Sequence, residues 1–354
     1  MLLKMFFMLS LNNIAIVSLV IAVLAGTSFN FLQVALELFL IFTLIIQTRK
    51  YQMTRGDIAL VIIFLWTGIV SFFSLDLLTF IVHLKIYVLF MLVYLACQNL
   101  IFTSKQDSVI AILIGVNCVF IWLQTIFGFP AWIPKEIFVG YYQSQLELRP
   151  VGIFLVPHPS SFFLGIYAIY LFQKSGPRIK YFILVTCFAT MSFTAALACL
   201  FQIVMNHFDR KLNVYFYLSI LVFVGSYYFL KEEIMAIFMV SSYTRYYSIG
   251  LILDQMVDTY YWDFLFNVIP KNLDSVMVHT ESMYGLLGTE VDFIRHAIQI
   301  GIVFLAASYF KVVRLLPHFS IFIFISMLHY SYLYTMPFML ILMFYFERKL
   351  DDKR

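Results

Sequence analysis

The chain has 354 residues, of which 63% are hydrophobic and 12% charged, with a formal net charge of +4 and a mean hydropathy of +0.93. A water-soluble domain carries about 25% charged residues, so this composition cannot clothe a soluble surface. The many separate apolar runs indicate helices and exclude a membrane β-barrel, whose segments are short and alternating. The expected fold is therefore all-α: a polytopic membrane helix bundle forming one integral domain over 1–354, with membrane lipid as its surroundings and no nucleic-acid partner.

In chain order, the first run lies in "MLLKMFFMLSLNNIAIVSLVIAVLAG". It lacks a small-x-small cleavage site and more apolar runs follow at once, so it reads as a retained span rather than a signal peptide. A bilayer core needs about 20 apolar residues per helix, and clear runs fall at roughly 5–25, 29–47, 57–75, 77–98, 108–128, 161–173, 212–230 and 291–310. Two stretches are ambiguous. "YFILVTCFATMSFTAALACLFQIVM" over 181–205 is one long span or two short ones broken at "ATMSFTA". The stretch 317–347 is too long for one span and breaks near "HYSYLYTMP".

The distribution of basic residues decides between these alternatives. With both stretches read as hairpins, the chain has about 12 spans, both ends cytoplasmic, and 16 of the 23 Lys and Arg on the cytoplasmic side. A single span over 181–205 would turn "HFDRKLN", "KVVR" and "ERKLDDKR" outward, against the rule. Two long outward loops result, about 129–160 and about 231–290, and long loops in a compact protein are usually functional or disordered. Four cysteines, Cys97, Cys118, Cys187 and Cys199, fall inside apolar runs without CxxC spacing and read as buried thiols.

Chemistry-bearing residues concentrate in the two loops. Arg149 precedes Pro150 in "LELRPVGIFLVPHPSSFFLG". Proline holds its own φ and keeps the preceding residue extended, so this is a stiff mount. A guanidinium there suits a phosphate, the alternative being an arginine that snorkels to headgroups or pairs with Glu147. His158 sits between Pro157 and Pro159 and reads as a local hydrogen-bonding group or a substrate contact. Arg245 lies in "SSYTRYYSIG" with Tyr243, Tyr246 and Tyr247, a set that fits either a membrane interface or a sugar ring. His279 and Glu281, in "SVMVHTESMYGLLG" beside Tyr284, could supply a general base or lie idle in a loop. Within the fourth run, Lys85 and His83 are candidates because burying a charge unpaired is costly, and Glu37 is a possible partner for Lys85. No phosphate loop, dinucleotide fingerprint, HExxH or Cys/His metal spacing occurs, and no outward Asp-x-Asp pair, so a metal-independent reaction without cofactors is expected.

These features together resemble the bacterial O-antigen polymerase (Wzy-type) and O-antigen ligase (WaaL-type) superfamily. The likeness rests on the layout and on short motifs. "RPVGIFLVPHPSSFFLG" is similar to the family's Arg-x-x-Gly segment before a span. "SSYTRYYSIGLILDQM" resembles its arginine at the start of the long loop, and "HTESMYGLLGTEVDFIRHAIQIGIVFL" the segment that closes that loop. "MSFTAALACL" looks like its short hairpin. One departure stands out: where ligases carry a His-x-His-Asn type segment, this chain has His279, Thr280, Glu281 and Ser282, which favours the polymerase over the ligase.

The resemblance implies a GT-C-like glycosyltransferase of the bacterial inner membrane with its active site on the periplasmic face. Donor and acceptor would be undecaprenyl-pyrophosphate-linked glycans, polymerised into O-antigen, capsule or a related surface polysaccharide, with a chain-length regulator protein as a partner. Arg149 and Arg245 would bind pyrophosphate, and His279 or Glu281 would act as base. His158, Tyr243, Tyr247 and Tyr284 would contact substrate. The alternatives are an O-antigen ligase and a non-catalytic transporter or flippase of lipid-linked sugars.

Overall fold

A computed structural model of the chain describes residues 11–24, 30–48, 53–74, 77–99, 105–128, 150–154, 157–174, 178–190, 192–207, 301–327 and 337–351. Among them are eleven α-helices, two 3₁₀ turns and no strand. The helices are α1 (Leu11–Leu24), α2 (Asn30–Thr48), α3 (Arg55–Ser74), α4 (Leu77–Asn99), α5 (Lys105–Phe127), α6 (Pro157–Gln173), α7 (Ile179–Ala189), α8 (Phe193–His207), α9 (Ile302–Leu315), α10 (Ser320–Met327) and α11 (Pro337–Asp351). Proline enters these helices only in a first turn, at Pro157, Pro159 and Pro337. There the missing N–H costs nothing, so long runs rich in Leu, Ile, Phe and Val propagate unbroken.

Side-chain contacts give the directions. Asp57 of α3 meets Tyr94 of α4 while Phe64 meets Tyr87, so these helices are antiparallel. Lys311 and Phe304 of α9 face Asp57 and Phe64 in turn, so α9 runs with α4. Ser161 touches Cys187 and Phe172 touches Tyr181, which makes α6 and α7 antiparallel. His158 meets Ser192 and Gly165 meets Cys199, which makes α6 and α8 parallel. The stretch 181–205 is thus a hairpin that reverses around 190–192, the two-helix reading of "ATMSFTA". α9 and α10 are bent by 113° about the turn Pro317–Phe319. His318 in that turn pairs with Glu347 near the end of α11 at 2.5 Å, so the chain leaves and regains one end of the bundle between 318 and 347.

The core is one cluster of Leu, Ile, Phe, Tyr and Ala, with α6 and α11 lined by Phe162, Phe163, Ile166, Ile169, Phe338 and Phe346. Outer faces are also apolar: Phe31 is 88% exposed, Phe127 78% and Phe310 69%, with Ile62, Leu65, Ile112 and Ile126 all exposed. Among the described residues one helix, Gln106–Phe127, is long and apolar enough to cross a membrane, or two spans if the bent pair around Leu316 counts as one. α7 and α8 have 11 and 15 residues, short of the roughly 20 a full crossing takes.

The two ends of the bundle differ. Among the described residues every Lys and Arg except Lys85 lies at the end where α3, α5 and α7 begin and α4, α6, α9 and α11 finish. The opposite end holds the start of α6, the reversal between α7 and α8, and the segment 150–154.

Candidate functional site

Of the residues singled out in the sequence, Arg149, Arg245, His279, Glu281, Tyr243, Tyr247 and Tyr284 lie outside the described residues. His158 lies within them, as does the segment that begins at Pro150, the residue bonded to Arg149.

That segment is held from α5. Asn117 and Gln124 are seven residues apart, two helical turns, so both amides face the same side. Gln124 Oε1 accepts the backbone N–H of Val151 at 2.8 Å and of Gly152 at 3.0 Å. Asn117 Oδ1 accepts the N–H of Ile153 at 2.9 Å. From α6, the Ser160 hydroxyl donates to the Val151 carbonyl and lies 3.3 Å from Asn117 Oδ1. Three consecutive N–H groups and a carbonyl are thus satisfied by side chains, as buried backbone requires. Gly152 has φ +62°, and a Cβ there would lie 2.1 Å from Asn117 Oδ1 and 2.6 Å from Ser160 Oγ. Only glycine fits a left-handed residue at so close an approach. The 3₁₀ turn Gly152–Phe154 ends on Phe154, fully buried and edge-on to Phe163 at 5.3 Å.

At the start of α6, the site joins the hairpin reversal. His158 Nδ1 lies 2.7 Å from Ser192 Oγ. Ser161 and Cys187 exchange contacts through hydroxyl, thiol and carbonyl. Thr190 Oγ1 donates to the Cys187 carbonyl at 2.8 Å and accepts from the Ser192 N–H at 3.3 Å. Trp122 of α5 donates to Thr186 at 2.9 Å and stacks on Phe182. The whole cluster is built of amides, hydroxyls, a thiol, an indole and one imidazole.

A second polar feature lies inside the bundle. Lys85 Nζ is 2.5 Å from Glu37 Oε2, and Gln33 Nε2 donates to Glu37 Oε1 at 3.0 Å. Lys85 thus has the carboxylate partner its position in an apolar run calls for. All four cysteines are buried and unbridged. No group of three His, Cys, Asp or Glu among the described residues is placed to hold a metal ion.

The composition of "SVIAILIGVNCVFIWLQTIF" draws the eye to its apolar residues, and Asn117 and Gln124 pass unnoticed in it. Their i, i+7 spacing in an otherwise greasy helix was the available signal, because a polar side chain inside a membrane helix is retained for its hydrogen bonds. Ser160 and Ser192 carried no such signal, since serine is common at helix starts. Compared with known proteins, the chain matches no family profile, no curated protein and no solved structure.

Proposed function

We propose that the chain is a membrane glycosyltransferase that polymerises undecaprenyl-pyrophosphate-linked oligosaccharide units into a bacterial surface polysaccharide. In this reading the bundle spans the inner membrane about 12 times, with both termini cytoplasmic and the reaction on the outer face. The exposed apolar faces of α2, α3 and α5 support a lipid surrounding, since soluble monomers rarely expose patches of this extent. The gathering of Lys and Arg at one end supports the orientation.

One observation carries the functional reading. Val151, Gly152 and Ile153, which follow Arg149 and Pro150 in the chain, are clamped by buried side chains of two helices, at the end of the bundle where no Lys or Arg is described. A leaving pyrophosphate needs cations beside it. Negative charge develops on that group as the sugar C1–O bond breaks, and a preorganised guanidinium stabilises it. Arg245 is the second cation in this scheme, and His279 or Glu281 takes the proton of the attacking sugar hydroxyl. His158, Tyr243, Tyr247 and Tyr284 line the sugars.

The test is the surface-polysaccharide ladder of cells carrying Arg149→Ala, at membrane abundance matched to wild type. Loss of long chains with a persisting single-repeat band is the expected result. An unchanged ladder would make Arg149 a membrane anchor and remove the reading. The Lys85–Glu37 pair favours a second reading, a transporter of lipid-linked sugars, because transporters place charges inside the bundle. In that case the same variant would leave repeat units trapped on the inner leaflet.

A further inference from the structure

The short connection between α6 and α7 reads "KSGPRIK", which holds three cations and no carboxylate. Lys174 and Arg178 are exposed and Lys180 is half-buried. Elsewhere at the basic end several cations serve the fold: Lys311 pairs with Asp57, Lys349 with Asp107, and Arg348 donates to two carbonyls. Among the described residues no carboxylate pairs with Lys174, Arg178 or Lys180.

Aromatic rings hold two of these charges in place. Lys174 Nζ lies 5.6 Å from the centroid of the Tyr170 ring. Lys180 Nζ lies 4.9 Å from that of Phe172 and 5.4 Å from that of Tyr181, across the seam between the two helices. A ring orients an ammonium without neutralising it, so the charge stays available to an anion. A helix C-terminus favours a cation, as with Lys174 at the end of α6, but Arg178 and Lys180 open α7 and oppose its dipole. α7 has no acidic residue in its first turn and no side-chain cap there, so the helix itself does not call for these charges. Next to them Tyr181, Phe182 and Val185, at i, i+1 and i+4, share one exposed face of α7.

We infer that this connection and the outer face of α7 bind an anionic phospholipid of the leaflet at the basic end. Its phosphate lies against Lys174, Arg178 and Lys180, and an acyl chain runs along Tyr181, Phe182 and Val185. The inference rests on the reading of the bundle as a membrane protein and not on the proposed reaction. Three features match that occupant. The unpaired cations select an anion, the rings beneath them suit headgroup level, and the apolar face selects an acyl chain over a free phosphate. Each basic residue beside an anionic lipid adds about 5-fold in affinity, so loss of two should weaken binding by about 10-fold to 30-fold.

The full chain, purified in a neutral detergent, is titrated with phosphatidylglycerol and, separately, with phosphatidylcholine, and bound lipid is counted by native mass spectrometry. Arg178→Gln with Lys180→Gln is compared with Arg55→Gln with Arg314→Gln, which removes the same charge from exposed positions at the same end. The expected result is tighter binding of phosphatidylglycerol than of phosphatidylcholine to wild type, a loss of about 10-fold to 30-fold in the first double variant, and a change under about 2-fold in the second. Equal losses in both variants would mean that charge anywhere at this end suffices, and would overturn the site. Equal affinity of wild type for the two lipids, or an undiminished preference in the first double variant, would overturn it too. Inorganic phosphate that displaces phosphatidylglycerol at equal concentration would make this a free-phosphate site and overturn the acyl contact. If the first double variant fails to accumulate, Lys174→Gln with Arg178→Gln takes its place. A chain released from membranes by alkaline carbonate would bring down the membrane reading first, and the lipid site with it.

Discussion

The two ends of the bundle are tied by different chemistry. At the basic end charged ties act alongside the neutral amides Gln202 and Asn206, which bond the start of α10 and the His318 carbonyl. Asp57 is buried and accepts from the Thr54 N–H and hydroxyl, from Tyr94 at 2.9 Å and from Lys311 at 3.1 Å, joining α3, α4 and α9. Lys349 and Tyr345 of α11 meet Asp107 of α5, and Arg348 donates to the carbonyls of Cys97 and Gln98 at the end of α4. At the other end the described ties are amides, hydroxyls and an imidazole: Asn117, Gln124, Ser160, Ser161, Thr190, Ser192 and His158. A carboxylate with several donors tolerates an edge rich in lysine and arginine, and cations at helix C-termini also suit the macrodipole. The contrast between the ends thus separates helices joined partly by salt bridges from helices joined by amide, hydroxyl and imidazole contacts.

The largest expected effect comes from Gly152→Ala. It places a Cβ on Asn117 Oδ1 and strains a positive φ, so the clamp must open at a cost of about 3 kcal/mol. Thermal unfolding in detergent and membrane abundance would register it, and a wild-type melting curve would mean that the clamp is soft. Next comes Asp57→Ala at the basic end, which leaves Lys311, Tyr94 and Thr54 without their shared acceptor. About 2–3 kcal/mol is expected, at the low end of a buried pair because Lys311 is partly exposed. If the surface-polysaccharide ladder proposed above survives this loss of stability, the ionic ties of the basic end serve the fold alone.

A smaller effect tests the pair inside the bundle. Glu37→Gln with Lys85→Met should lie within about 1 kcal/mol of wild type, whereas either change alone costs more by leaving a lone buried charge. Normal polymer length in the double variant would make the pair structural, and loss of function at full stability would give it a working role. Smallest of all, Lys349→Gln removes a partner of Asp107, whose side chain is 44% exposed, and should cost about 0–1 kcal/mol. A shift beyond that range would mean that the basic end carries more of the stability than its exposed pairs suggest.

The composition and the apolar periodicity by themselves determined, for the described residues, an all-helical chain, helix locations close to those observed over residues 30–127, the break within 181–205, and the sorting of basic residues to one end; the break expected near "HYSYLYTMP" lies outside the described residues. Each follows from local chemistry: hydropathy, proline placement and charge are properties of short segments. The Lys85–Glu37 contact was readable for the same reason, since a charge in an apolar run demands a partner. What only the tertiary structure decided is which polar groups meet across distant segments. Nothing in "GVNCVFIWLQ" announces that Asn117 and Gln124 will receive the backbone of 151–153, and nothing near Ser192 announces His158. A hydrogen bond depends on vectors a few ångströms long, and these exist only after α5, α6 and the α7–α8 hairpin have packed.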